Sequence, residues 1–122
     1  MVLPYLLTLP THGAPDHGWL SVAEPPDLPF VVRRAYWIYG VPTGQGRGRH
    51  GHRTLEQLLV AIKGEVRITL EGPGFARETF TLTQADQALY VPPGFWREVN
   101  YSAGAVLLCL ASQEYDEADY VR

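Results

Sequence analysis

The stretch GQGRGRHGHRTLEQLLVAIKGE, residues 44–65, decides how the chain reads. His50 and His52 stand one residue apart, so on an extended strand both imidazoles leave the same face. Two histidines at that spacing, just ahead of an apolar run, usually mark a metal site. Lys63 and Gly64 read as a tight hairpin turn between a strand at 56–63 and one at 65–70. The run LLVAI at 58–62 lacks the apolar–polar alternation of a half-buried antiparallel strand, so both of its faces must be covered.

The same holds for AVLLCL at 105–110. A chain of 122 residues with 46% hydrophobic content builds one domain, 1–122, and has few elements left to cover an outer face. A second subunit is therefore expected there, giving a homodimer; the alternative is cover by the chain's own N-terminal strands. Ten prolines and twelve glycines punctuate short segments rich in Val, Leu, Ile, Thr and Tyr. That pattern predicts an all-β sandwich or barrel of antiparallel strands. The strands are expected at 4–8, 19–23, 30–39, 49–54, 56–63, 65–70, 78–82, 87–91, 96–101 and 105–111. Residues 71–74 read as a longer hairpin turn, and only 83–88 and 114–120 offer a helical turn. His12 and His17 lie in a turn-rich segment and read as surface loop.

Net charge is -3, which disfavours non-specific nucleic-acid binding. The basic residues are nearly all arginine, and Arg33, Arg34, Arg47, Arg49 and Arg53 fall in a stretch without acids. They read either as a solvated surface or as an anion-binding wall, since the planar guanidinium suits phosphate. The tail QEYDEADYVR has the opposite sign. Cys109 lies in an apolar run and reads as a packed thiol. The N-terminus is apolar but has no basic start and does not read as a signal peptide. No apolar run reaches the ~20 residues that span a bilayer. A cytoplasmic protein is expected.

The spacing Gly44, His50, His52, Gln57, Gly64 resembles the first signature of the cupin superfamily, and Pro92, Gly94, Arg97 resembles the second. The resemblance implies a jelly-roll barrel, a sandwich of two antiparallel sheets with little helix. In metal-binding cupins a glutamate belongs where Gln57 stands, and a third histidine where Arg97 stands. A divalent cation takes three or four neutral or anionic donors, and arginine offers no acceptor atom. The neighbouring Glu56 is one residue out of phase, on the other strand face. No metal and no cofactor are expected. Two imidazoles and a guanidinium facing one cavity suit an anionic ligand and proton transfer.

The segments FVVRRAYWIYGVP, RGRHGHRTLEQLLVAIKG, ALYVPPGFWREV, AVLLCLAS and YDEADYVR, in that order, resemble the nucleotide-sugar 3,4-ketoisomerases, the WxcM-like or FdtA-type metal-free cupins. Members usually continue past DYVR, and often carry lysine where Arg53 stands and alanine where Gly51 stands. The resemblance implies an isomerase that moves the ketone of dTDP-4-keto-6-deoxyglucose from carbon 4 to carbon 3, in deoxyamino-sugar biosynthesis. It also implies a jelly-roll fold in an intertwined homodimer.

A proton alpha to a ketone yields to a modest base when the enediolate is stabilised, and histidine suits that near neutral pH. His50 is the expected base and matches the family's catalytic position. His52 is expected to shuttle the hydroxyl proton or orient the sugar. The family pattern places Tyr36 at the site, on the hydroxyl or enediolate; read from the residues alone it is a core aromatic. Arg34, Arg47 and Arg97 are expected on the diphosphate and the developing oxyanion, where a preorganised charge is worth ~3 kcal/mol. Gln57 joins the substrate-binding set. Arg49 and Arg53 should face away from the histidines. Trp37 and Trp96 are read as packing residues, with thymine stacking as the alternative. Tyr115, Asp119 and Tyr120 close either the dimer or an edge of the site. Rival readings are a nucleotide-sugar epimerase, a metal-dependent cupin enzyme and a non-catalytic sugar-binding module.

Overall fold

A computed structural model describes residues 2–121. In chain order the strands are β1 Tyr5–Thr8, β2 Thr11–Ala14, β3 Gly18–Ser21, β4 Arg34–Ile38, β5 Gly46–His52 and β6 Gln57–Lys63. They continue with β7 Val66–Gly72, β8 Phe75–Leu82, β9 Gln87–Val91, β10 Trp96–Tyr101 and β11 Val106–Ala111. A 3-10 turn at Glu117–Asp119 leads into β12, Tyr120–Val121. One five-stranded sheet runs β1-β9-β6-β11-β4 and the other β12-β5-β10-β7-β8, with antiparallel pairs throughout; β2 and β3 form a separate hairpin. This is the expected all-β jelly roll. Among the described residues no helix is long and apolar enough to cross a membrane.

The two sheets face each other over a core that includes Leu59, Ile68, Leu70, Leu89, Val99 and Leu107. On β6 the alternation is hidden because both faces are apolar. Leu59 and Ala61 enter this core, while Leu58 and Val60 point outward into a second cluster with Ala88, Tyr90 and Leu110. That second cluster is covered by Leu9, Leu28, Phe30 and Val32 of the same chain. The own-chain alternative therefore accounts for Leu58, Val60 and Leu110, while Ile62 of the same run stays 48% exposed and Val106 and Leu108 are half-buried.

The cover also corrects the strand expected at 30–39. Only Arg34–Ile38 pairs with β11, and the residues before it cross the outer face to pack half-buried Phe30 and Val32 against the cluster. Two further corrections are local. His12 sits on β2, exposed, rather than in a loop, and the segment at 83–88 turns without helix before β9 starts at Gln87. The hairpin expected at Lys63-Gly64 does not form: β6 pairs with β9 and β11 and β7 with β8 and β10, so the tight turn carries the chain from one sheet to the other. Gly64 has φ +76, and a Cβ there would stand 2.9 Å from the Ala105 Cα, so glycine is required both for conformation and for space.

Candidate active site

A cavity of about 270 Å³ opens between the sheets at the end where β4, β5, β10 and β12 meet. Strand alternation selects its lining. Arg34 and Tyr36 enter from β4, and Arg97 and Tyr101 from β10. Gln57 and Cys109 form part of the floor, from the adjacent strands β6 and β11.

β5 needs a further device. Arg97 pairs with His50, but Val99 pairs with Arg47, so β5 carries one more residue than β10 across this interval. Gly48, at φ +70, takes up the extra residue as a β-bulge. The bulge reverses the alternation, and Arg47 and His50, three positions apart, both line the cavity. Strict alternation would have turned Arg47 outward with Arg49. Arg49 does face out, 3.4 Å from Glu98, and Arg53 is exposed, as the reading of the sequence expected.

His52 is 4% exposed and lies in a recess beside the main cavity, with Arg34, Tyr36, Asp119 and Tyr120. Both ring nitrogens lack hydrogen-bond partners. Burial depresses its pKa to about 4, helped by the positive charge of Arg97 and by His50 and opposed by Asp119. It is therefore a neutral imidazole at neutral pH, able to accept one proton and release another. The His50 and His52 ring centres are 4.8 Å apart.

Tyr36 and Gln57 form a pair. Gln57 Nε2 donates to the Tyr36 hydroxyl oxygen at 2.7 Å. Burial, then the Cys109 thiol beside it, hold the Tyr36 pKa well above the ordinary tyrosine value, so it is a neutral phenol. Burial also pushes the Cys109 thiol up to about 11, against the opposing effects of Tyr36, Arg97 and Arg34. Cys109 is thus the expected unreactive thiol, but it stands on the cavity floor rather than in remote packing.

Arg97 is 4% exposed, with Nε and Nη2 unpartnered. Burial lowers its pKa, yet guanidinium stays charged in any folded protein. A buried cation with free N–H groups on a cavity is an anion site. Arg34 stacks its guanidinium 4.4 Å over the Tyr36 ring and 5.4 Å from the Tyr115 ring. Among the described residues no three His, Cys, Asp or Glu side chains converge to hold a metal ion. With Arg97 in the third-histidine position, the donor set does not fit a divalent cation.

All seven residues singled out from the sequence therefore touch this cavity or its recess. Trp37 corrects the packing expectation. It is 60% exposed on the outer face of β4, away from the cavity. Sequence reasoning left out Tyr101, whose alternation with Arg97 and Val99 on β10 was available as a signal. It also left Tyr120 unplaced, because the pairing of β12 with β5 has no local signature.

Comparison with known proteins gives a consistent picture. The family described as FdtA, WxcM-like, C-terminal, matches residues 5–122. A TDP-4-oxo-6-deoxy-alpha-D-glucose-3,4-oxoisomerase of Aneurinibacillus thermoaerophilus is 36% identical over 104 residues, 84% of this chain and 74% of that protein. The 3,4-ketoisomerase QdtA of Thermoanaerobacterium thermosaccharolyticum, solved as a mutant with TDP-4-keto-6-deoxyglucose, superposes with TM-score 0.91 at 34% identity, covering 98% of this chain and 86% of that one. The WlaRB TDP-quinovose 3,4-ketoisomerase of Campylobacter jejuni gives TM-score 0.90 at 35% identity, covering 98% and 92%.

Proposed function

The chain belongs to the FdtA family of WxcM-like, C-terminal domains, and from that membership we propose that it is a 3,4-ketoisomerase of TDP-4-keto-6-deoxyglucose. The observation that carries the reading is the meeting of His50, neutral Tyr36 and the partly unpartnered Arg97 in one cavity.

The chemistry follows from the groups. His50 removes the proton from sugar carbon 3, alpha to the carbon-4 ketone, and the electron pair forms the carbon 3–carbon 4 double bond of an enediolate. Arg97 stabilises the oxyanion that develops on oxygen 4. The proton on oxygen 3 passes to oxygen 4 by way of His52 or Tyr36, and carbon 4 takes a proton from the imidazolium of His50 once that imidazolium has exchanged with water. The ketone ends on carbon 3. Atoms and electrons balance without an external oxidant or reductant. Arg34 and Arg47, which line the same cavity, hold the diphosphate.

The working form is a homodimer in the cytoplasm. What supports the dimer is exposed apolar surface on and beside β4: Trp37 is 60% and Tyr39 70% exposed. Light scattering that gives a monomer at micromolar concentration would remove the dimer and leave the chemistry untouched.

The function is tested by incubating the protein with dTDP-4-keto-6-deoxyglucose in deuterium oxide, with His50→Asn alongside. NMR should find a carbon-3 ketone carrying deuterium at carbon 4 for the wild type, and little turnover for the variant. A product that keeps its carbon-4 ketone and is inverted elsewhere would instead identify an epimerase.

A further inference from the structure

We propose that Tyr120, carried on a C-terminal strap pinned by Asp119, is a positioning residue that fixes the ring planes of both imidazoles. The inference rests on the ketoisomerase reading and deepens it.

Three observations converge. The Tyr120 ring stacks on His50, with centres 4.8 Å apart and planes at 27°, and leans on His52 at 4.6 Å and 44°. One tyrosine thus touches both histidines, which are otherwise joined by a short strand rich in glycine. Second, among the described residues β12 pairs with β5 alone, Tyr120 opposite His52 and Val121 opposite Gly51, so the strap reaches the sheet at the histidines themselves. Third, the buried Asp119 carboxylate accepts from the Thr54 amide at 2.9 Å, the Thr54 hydroxyl at 2.7 Å, the Leu55 amide at 3.1 Å and Gln113 Nε2 at 3.3 Å. Its backbone oxygen accepts from the Arg53 amide at 2.9 Å. Most of these donors belong to the residues directly after His52.

The same strap presents Tyr115, whose ring lies 5.8 Å from that of Tyr120 and 5.4 Å from the Arg34 guanidinium. Removing the Tyr120 ring would take away the one aromatic face that packs against both imidazoles. An aromatic pair biases the orientation of its rings about two- to tenfold, and a proton-transfer geometry lost at two rings compounds the loss.

The test compares Tyr120→Ala, Tyr120→Phe and Asp119→Asn under steady-state turnover, with thermal midpoints as the check on folding. Tyr120→Ala should lower kcat about tenfold or more while KM moves less than threefold. Tyr120→Phe, which keeps the stack, should recover most of that loss, and Asp119→Asn should fall between. Wild-type kcat in Tyr120→Ala overturns the inference. So does a Phe variant as slow as the Ala variant, which would give the hydroxyl the role, or an effect confined to KM, which would make Tyr120 a substrate contact. Proton NMR of the histidine rings decides without substrate. Ring-current shifts on His50 and His52 should vanish in Tyr120→Ala and persist in Tyr120→Phe; shifts unchanged in Tyr120→Ala overturn the inference. A wild type that turns over no sugar sinks the ketoisomerase reading, and the NMR result then judges the strap alone.

Discussion

Arg97 on β10 and His50 on β5 are register partners, and both side chains enter the same cavity. The proposed base and the charge proposed to stabilise its product are thus set by one rung of a sheet. Arg97 is buried with two nitrogens unpartnered, an arrangement that weakens folding. Arg97→Met, similar in volume and uncharged, should lower turnover about a hundredfold or more. Its thermal midpoint should stay level or rise. A midpoint that falls as far as in a core truncation would mean that the guanidinium holds the barrel together.

His52 gives a pH dependence of stability. Its folded pKa is about 4, below the unfolded value near 6.5, so between those values the unfolded chain binds a proton that the folded chain refuses. Stability falls as pH drops through that window, by about 3 kcal/mol over the whole of it. In His52→Gln the urea midpoint should change less between pH 7 and pH 5 than it does in the wild type. Parallel curves for the two proteins would contradict the buried neutral imidazole.

Gly48 sets the facing of Arg47. Alanine at φ +70 costs about 1–2 kcal/mol, and its Cβ would meet Val99 Cγ2 at 3.3 Å. Gly48→Ala should lower the melting temperature by several degrees and raise KM severalfold, as Arg47 is re-aimed, with a smaller effect on kcat. Isothermal titration with TDP measures the same loss directly; unchanged affinity would place Arg47 outside the binding site.

The metal question can be put to the protein by substitution. Gln57→Glu with Arg97→His restores the two donors that the cupin pattern lacks here and removes the repelling cation. The double variant should bind zinc at micromolar levels in equilibrium dialysis, and the wild type far more weakly. Comparable binding by both would show that guanidinium does not decide the matter.

The parts of the site legible in the sequence are those fixed by local spacing. His50 and His52 share a face because they are two apart on one strand, and Arg97 follows Pro92 and Gly94 at a fixed interval. Arg47 was legible as a residue but not as a direction, because a glycine bulge reverses strand phase without changing composition. Asp119 and Tyr120 were not placed, since the bonds from Thr54 to Asp119 join positions 65 residues apart. The cover over Leu58 and Val60 was misattributed for a related reason. Phe30 and Val32 look like the start of a strand, and only the packed chain reveals them as a lid on its outer face.

β4 puts Tyr36 on the inside and its immediate neighbour Trp37 on the outside. Consecutive residues of one ribbon therefore answer to different surroundings while sharing a peptide plane. Replacing Trp37 with a charged residue to make the protein more soluble therefore acts one peptide away from the phenol that lines the cavity.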